Sequence, residues 1–221
     1  YYLLMVPSSA PENTEDHSRG SRKKAAILEA AQEAFFANGF IGTSMDQVAA
    51  KAAVSKQTVY KHFSDKETLF REVVTQVVRA GDGGIPQNLF LEGEGSIEDR
   101  LKSFSSSFLR GVLQPDVIKL RRLLIGEAGR FPELGRIFYE LGPQRATDQL
   151  AIALGAAADR HDLMMNDPEV AAGHLLSLIL SKPLDEAMLL GDGFRCTEAS
   201  LLKVTDEGVR AFLGVYGSSQ H

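Results

Sequence analysis

Lys56 to His62 gather, in one short run, side chains suited to a polyanion. Gln57 can pair bidentately with an adenine edge, Lys56 can reach guanine O6 and N7, and the Thr58 methyl can meet a thymine methyl. Tyr60, Lys61 and His62 carry a phenol, an ammonium and an imidazole, and each hydrogen-bonds phosphate oxygens. Thr43 and Lys66 stand at the starts of the flanking segments, where free helix N–H groups attract anions. Lys56, Gln57 and Thr58 are therefore expected to meet bases. Thr43, Tyr60, Lys61, His62 and Lys66 are expected to meet phosphates.

These residues need elements to hold them. Ser44 followed by Gln47 has the spacing of a capping box, and Ser64 followed by Glu67 repeats it. Ser55 stands at the expected N-cap of the helix that carries Lys56 to His62. Val48, Ala49, Val54, Val59 and Phe63 supply a small core beneath two short helices. Upstream, Ile27, Ala31, Ala34 and Phe35 recur at helical spacing from Arg22, and Asn38-Gly39 is a stop signal. Two short helices around a tight turn make a helix-turn-helix, whose second helix enters a DNA major groove.

Charge follows the same division. Between Arg19 and Arg79 ten Lys/Arg face six Asp/Glu, a net of +4, whereas the other residues sum to −9. A basic segment on an acidic body suits local contact with a polyanion. The single cysteine, Cys196, excludes an intrachain disulfide and points to a reducing, cytoplasmic compartment. No apolar run reaches the ~20 residues of a membrane span, so no membrane partner is expected. Tyr1–Val6 lacks a basic leader and does not read as a signal peptide.

The expected layout is a disordered arm over residues 1–21, a DNA-binding domain over 22–79 and a larger helical domain over 80–221. Gly81-Asp82-Gly83-Gly84-Ile85-Pro86 reads as a linker, because no strand precedes it and no Gly-Lys-Ser/Thr follows. Beyond it, helices are expected near 97–113, 116–130, 132–141, 143–159, 167–190 and 197–215. Pro115, Pro132, Pro143 and Pro168 stand near four of their starts. The fold class is therefore all-α.

Residues 22–75 resemble the N-terminal domain of the TetR family of transcriptional repressors. The resemblance is carried by Asn38-Gly39-Phe40, Thr43-Ser44-Met45-Asp46-Gln47-Val48-Ala49, Val54 to Phe63, and Lys66-Glu67-Thr68-Leu69-Phe70. It implies an all-helical homodimer with helix-turn-helix heads on a palindromic double-stranded operator, and a C-terminal domain for ligand and dimerisation. Carried over by position, Thr43, Tyr60, His62 and Lys66 would contact phosphate, and Gln57 and Thr58 would face bases. The family often has glycine where this chain has Ala53. If that position is left-handed, alanine costs roughly 1 kcal/mol.

The stretch Arg121 to Leu134 is similar to the C-terminal domain of AefR-like members of the family. A ligand pocket is expected from Phe104, Phe108, Leu124, Phe131, Phe138, Met188 and Leu189, with Arg122, Glu127 and His174 turned inward. No cofactor is expected, only a small-molecule effector. A dimer face is expected on helices 167–190 and 197–215, through Leu175, Leu176, Leu178, Ile179 and Leu180, and through Leu201, Val204, Val209, Phe212, Leu213 and Tyr216. Two other functions compete. One is a helical partner-binding module. The other is a small helical enzyme, for which His161-Asp162 supplies only half of a metal site and Cys196 has no evident histidine.

Overall fold

The computed structural model describes residues 13–81 and 95–218. The linker assigned to residues 81–86 lies outside them except for Gly81, and so does most of the N-terminal arm. Every regular element among the described residues is helical: α1 (Asn13–Asn38), α2 (Met45–Lys51), α3 (Lys56–His62), α4 (Lys66–Gly81), α5 (Ile97–Val112), α6 (Pro115–Glu127), α7 (Pro132–Tyr139), α8 (Arg145–Asp159), α9 (Pro168–Leu189) and α10 (Glu198–Tyr216). The chain divides into two compact units between Val73 and Val74, inside α4.

The first helix departs from expectation, since it starts at Asn13 rather than Arg22. No proline stands between Asn13 and Arg22. Extending a formed helix is far cheaper than nucleating one, so α1 continues upstream. At its other end Gly39 takes φ +73° and closes the helix with a 2.9 Å bond from its N–H to the Phe35 carbonyl. Phe40 then folds back, and its ring packs at 5.3 Å from that of Phe70 and 5.9 Å from that of Phe35. Ile27, Ala31, Val48, Val59, Phe63 and Leu69 complete a fully buried core. Lys24 with Glu72 at 2.9 Å, and Lys51 with Glu33 at 2.6 Å, brace its exterior.

In the second unit, prolines open α6, α7 and α9, as expected. Pro143 does not open a helix. It lies inside a π-helical turn, Glu140–Gln144, that joins α7 to α8 without a break. A proline inside a helix lacks the N–H for its ladder bond, and a wider turn accommodates that loss. α9 packs against α8 and α10, and α10 also packs along α5. Leu101, Phe104, Leu154, Leu175, Ile179 and Phe212 lie at the centre. The helices approach closely at Gly208, where an added Cβ would stand 2.9 Å from Ile179 Cγ2.

The apolar stripes expected to form a dimer face are divided by this packing. Leu175, Leu176, Ile179, Leu201, Val209 and Phe212 belong to the unit's own core. Leu178 remains exposed, and so do Leu202 and Val215, which were not among the expected stripes.

Candidate nucleic-acid interface and internal cavity

The helix-turn-helix is closed by three local devices. Ser44 caps α2: its Oγ accepts from the Gln47 N–H at 3.2 Å, and Gln47 Oε1 accepts from the Ser44 N–H at 2.8 Å. At the other end of α2 the Val54 N–H reaches the Ala49 carbonyl at 3.0 Å and the Ala53 N–H reaches that of Ala50 at 3.2 Å. This nested pair is a Schellman cap, which requires a left-handed residue. Ala53 fills the position with φ +52°. The turn therefore keeps the geometry that glycine favours, with alanine in place. Ser55 then caps α3 by accepting from the Thr58 N–H at 3.1 Å.

The third expected cap is one residue later than the spacing suggests. Asp65, not Ser64, caps α4, its Oδ1 accepting from the Thr68 N–H at 2.6 Å. That bond holds the Asp65 carboxyl below the usual aspartate range, and the Ser64 hydroxyl adds to the effect.

On α3, Lys56, Gln57, Tyr60 and Lys61 are exposed, while Thr58 and His62 are half-buried. Val59 points the other way and is fully buried. Tyr60 keeps 45% of its surface open, and the Lys56 ammonium lies 5.9 Å from its ring centre. Lys56 also pairs with Asp46 at 2.8 Å. The Thr58 hydroxyl is 2.8 Å from that of Ser55. His62 packs beside Phe63 with ring centres 6.3 Å apart.

Two expected phosphate contacts read differently in three dimensions. Thr43 is only 2% exposed, and its hydroxyl donates to the carbonyls of Ala34 at 3.1 Å and Gly39 at 2.8 Å. Its side chain holds the α1–α2 turn rather than facing outward. Lys66 is half-buried, and its ammonium donates to the carbonyls of Phe40 at 2.7 Å and Thr43 at 2.9 Å, 4.5 Å from the Phe40 ring centre. An ammonium has three donors, so one remains for an anion.

The expected pocket is redistributed as well. The second unit holds a cavity of about 390 Å³ that is partly open to solvent, and of the ten expected residues Phe108 and Phe138 line it. Phe104 stacks on Phe108 at 5.5 Å but belongs to the core, and Leu124 is buried without reaching the cavity. Arg122 donates to the Ala187 carbonyl. Glu127 is half-buried, and its backbone carbonyl accepts from the Arg130 and Phe131 N–H groups. Phe131 and Met188 are half-buried outside the lining. Leu189 is 82% exposed, and His174 Nδ1 lies on the surface 2.6 Å from the Tyr216 hydroxyl.

The residue missed is Arg121. It lines the cavity, with its guanidinium 5.1 Å from the Phe138 ring centre, and burial pushes its pKa down. A signal for it existed: Arg121 stands four and three residues after Val117 and Ile118 and three before Leu124, on their apolar stripe. Asp162, half of the weighed metal pair, is engaged by Arg100 at 3.1 Å. Among the described residues no group of three His, Cys, Asp or Glu side chains is placed to hold a metal, and no helix is long and apolar enough to cross a membrane.

A capped helix pair with an exposed polar second helix, followed by a separate helical unit around a cavity, defines the class of two-unit helix-turn-helix regulators. Residues 27–73 match the tetR family of bacterial regulatory proteins, and residues 99–218 match the C-terminal domain of AefR-like transcriptional repressors. The chain belongs to the TetR family of transcriptional regulators. A solved structure described as a TetR-family regulator of Mesorhizobium loti MAFF303099 is similar with 39% identity and a TM-score of 0.79, over 90% of this chain and 98% of that one. The flavonoid-responsive regulator FrrA is similar with 30% identity and a TM-score of 0.75, over 90% of this chain and 99% of its own. The regulator RutR of Escherichia coli K12 is 41% identical over 74 residues, 33% of this chain. The match spans about a third of that curated relative's length, 35%.

Proposed function

We propose that the chain is a ligand-responsive repressor that binds a palindromic double-stranded DNA operator as a homodimer and is released when a small molecule enters its C-terminal unit. The observation that carries this reading is α3, capped by Ser55, with Lys56, Gln57, Tyr60 and Lys61 exposed together. Gln57, with Thr58 at its flank, would read base edges, and Lys56 would join them once released from Asp46. Tyr60, Lys61, His62 and the third donor of Lys66 would hold phosphates.

For a two-fold operator the paired heads must stand about 34–36 Å apart, or a multiple of that. Leu178, Leu202 and Val215, exposed on α9 and α10, suit a partner copy of the same surface. The cavity volume is that of a small-molecule site. FrrA, similar along nearly all of its length, is named for its response to flavonoids, which favours an effector role for the cavity. α4 takes part in both units: Phe70 lies in the head core and Val78 and Gly81 line the cavity. A ligand that prefers one arrangement of α4 would shift head spacing by its differential affinity for the two states. Cytoplasmic residence, and no cofactor besides the effector, belong to the same reading.

Selection of bound sequences from a random DNA pool tests it. An inverted repeat should emerge, with affinity that falls steeply as salt rises. Tyr60→Phe should weaken binding to all sequences alike, whereas Gln57→Ala should change preference at particular positions. Recovery of no repeat would overturn the operator reading.

A further inference from the structure

The cavity of the C-terminal unit has an apolar wall and one ionised group. Phe108, Val112, Val117, Phe138, Leu176 and Leu180 line it, and Arg121 is the one charged lining residue among those described. The Arg121 Nε is buried and has no hydrogen-bond partner among the described residues. The adjacent residue does not help: Arg122 is cationic too and donates to the Ala187 carbonyl. Thr147 turns its hydroxyl to the Pro143 carbonyl at 3.0 Å. Ser177 and Ser181 also line the cavity, and they are neutral. The Phe138 face accommodates the guanidinium but does not neutralise it.

A half-buried cation with no counter-charge among the described residues is costly, and an anionic oxygen group relieves that cost by pairing with the planar fork of arginine. We propose that the cavity selects an apolar acid, a hydrophobic body with one carboxylate or other anionic oxygen group that pairs with Arg121. This rests on the reading of the cavity as the effector site and adds the charge class of the effector.

The test uses the full chain and two matched pairs of probes, 1-naphthoate with 1-naphthamide and dodecanoate with dodecanamide. Binding is followed by calorimetry and by the shift of the unfolding midpoint. Within a pair the acid should bind at least about tenfold more tightly than its amide, the range of a charged hydrogen-bonded contact. In Arg121→Met the preference should vanish or reverse while amide binding persists, and Arg121→Lys should keep part of it. Ser177→Phe, which fills the cavity, should abolish binding of both members. Equal binding of acid and amide to the unaltered chain would overturn the charge inference and leave the effector site standing. That comparison needs no variant, so it decides even if Arg121→Met does not fold. Failure of all four probes to bind would overturn the effector-site reading and this inference together.

Discussion

Lys56 Nζ on α3 lies 2.8 Å from Asp46 Oδ1 on α2. The leading cation of the proposed DNA-facing surface is thus already matched, and the contact raises the Lys56 pKa through the Asp46 hydrogen bond first and its charge second. Asp46→Asn removes a negative charge that would otherwise face phosphates and frees the ammonium. Operator and non-specific affinity should both rise severalfold at low salt, with the unfolding midpoint unchanged. Fluorescence anisotropy over a salt series measures this, and unchanged affinity would show that neither the Lys56 nor the Asp46 charge bears on bound DNA.

Thr43→Val separates a structural hydroxyl from a DNA ligand. The substitution removes the one hydroxyl proton that the Ala34 and Gly39 carbonyls share in a buried turn. Stability should fall by about 1–2 kcal/mol. The salt dependence of DNA binding should keep its slope, because no phosphate contact is lost. A shallower slope with normal stability would restore Thr43 to the interface.

Ala53→Gly should stabilise the head. Alanine at φ +52° carries a strain that glycine does not, offset in part by the greater freedom of glycine in the unfolded chain. A net gain of about 0.5–1 kcal/mol, or about 1–4 °C in the midpoint, is expected in thermal unfolding. A loss of stability would mean that the alanine methyl packs usefully.

The Asp65 cap gives a pH signature. Its carboxyl is lowered mainly by the Thr68 N–H. Its charged form is therefore favoured in the folded state, and the stabilisation is complete above the ordinary aspartate pKa of about 3.9. It is lost as pH falls through the lowered folded value. Asp65→Asn, which still caps, should lag the unaltered protein by a constant margin near neutrality. That margin should close below about pH 4. A margin independent of pH would assign the effect to geometry rather than charge.

Helix starts were legible where one residue decides them. Ser44, Ser55, Pro115, Pro132 and Pro168 act within their own turn, so spacing alone locates them. Ala53 was legible for the same reason. The roles of Thr43 and Lys66 were not, because their acceptors depend on how the α1–α2 turn closes. For Lys66 one of them lies 26 residues away along the chain. The cavity was the least legible feature. Neighbouring residues on a helix point about 100° apart, so Arg121 and Arg122 look alike in sequence yet face different surroundings. Leu189 was misplaced because hydrophobicity cannot show which side of the last turn of α9 is covered: Ala187 is buried there and Leu189 is not.

Gly208 limits how the C-terminal unit can move. Its missing side chain makes the notch that receives Ile179. Sliding α10 along α9 by one helical turn, about 5.4 Å, would present Ile179 with Thr205 or Phe212 rather than that notch. The two helices are keyed to each other at a single axial offset and should travel as one block. A rearrangement provoked by an effector would then fall outside this block, in α4, α6, α7 and the π-helical turn among other elements.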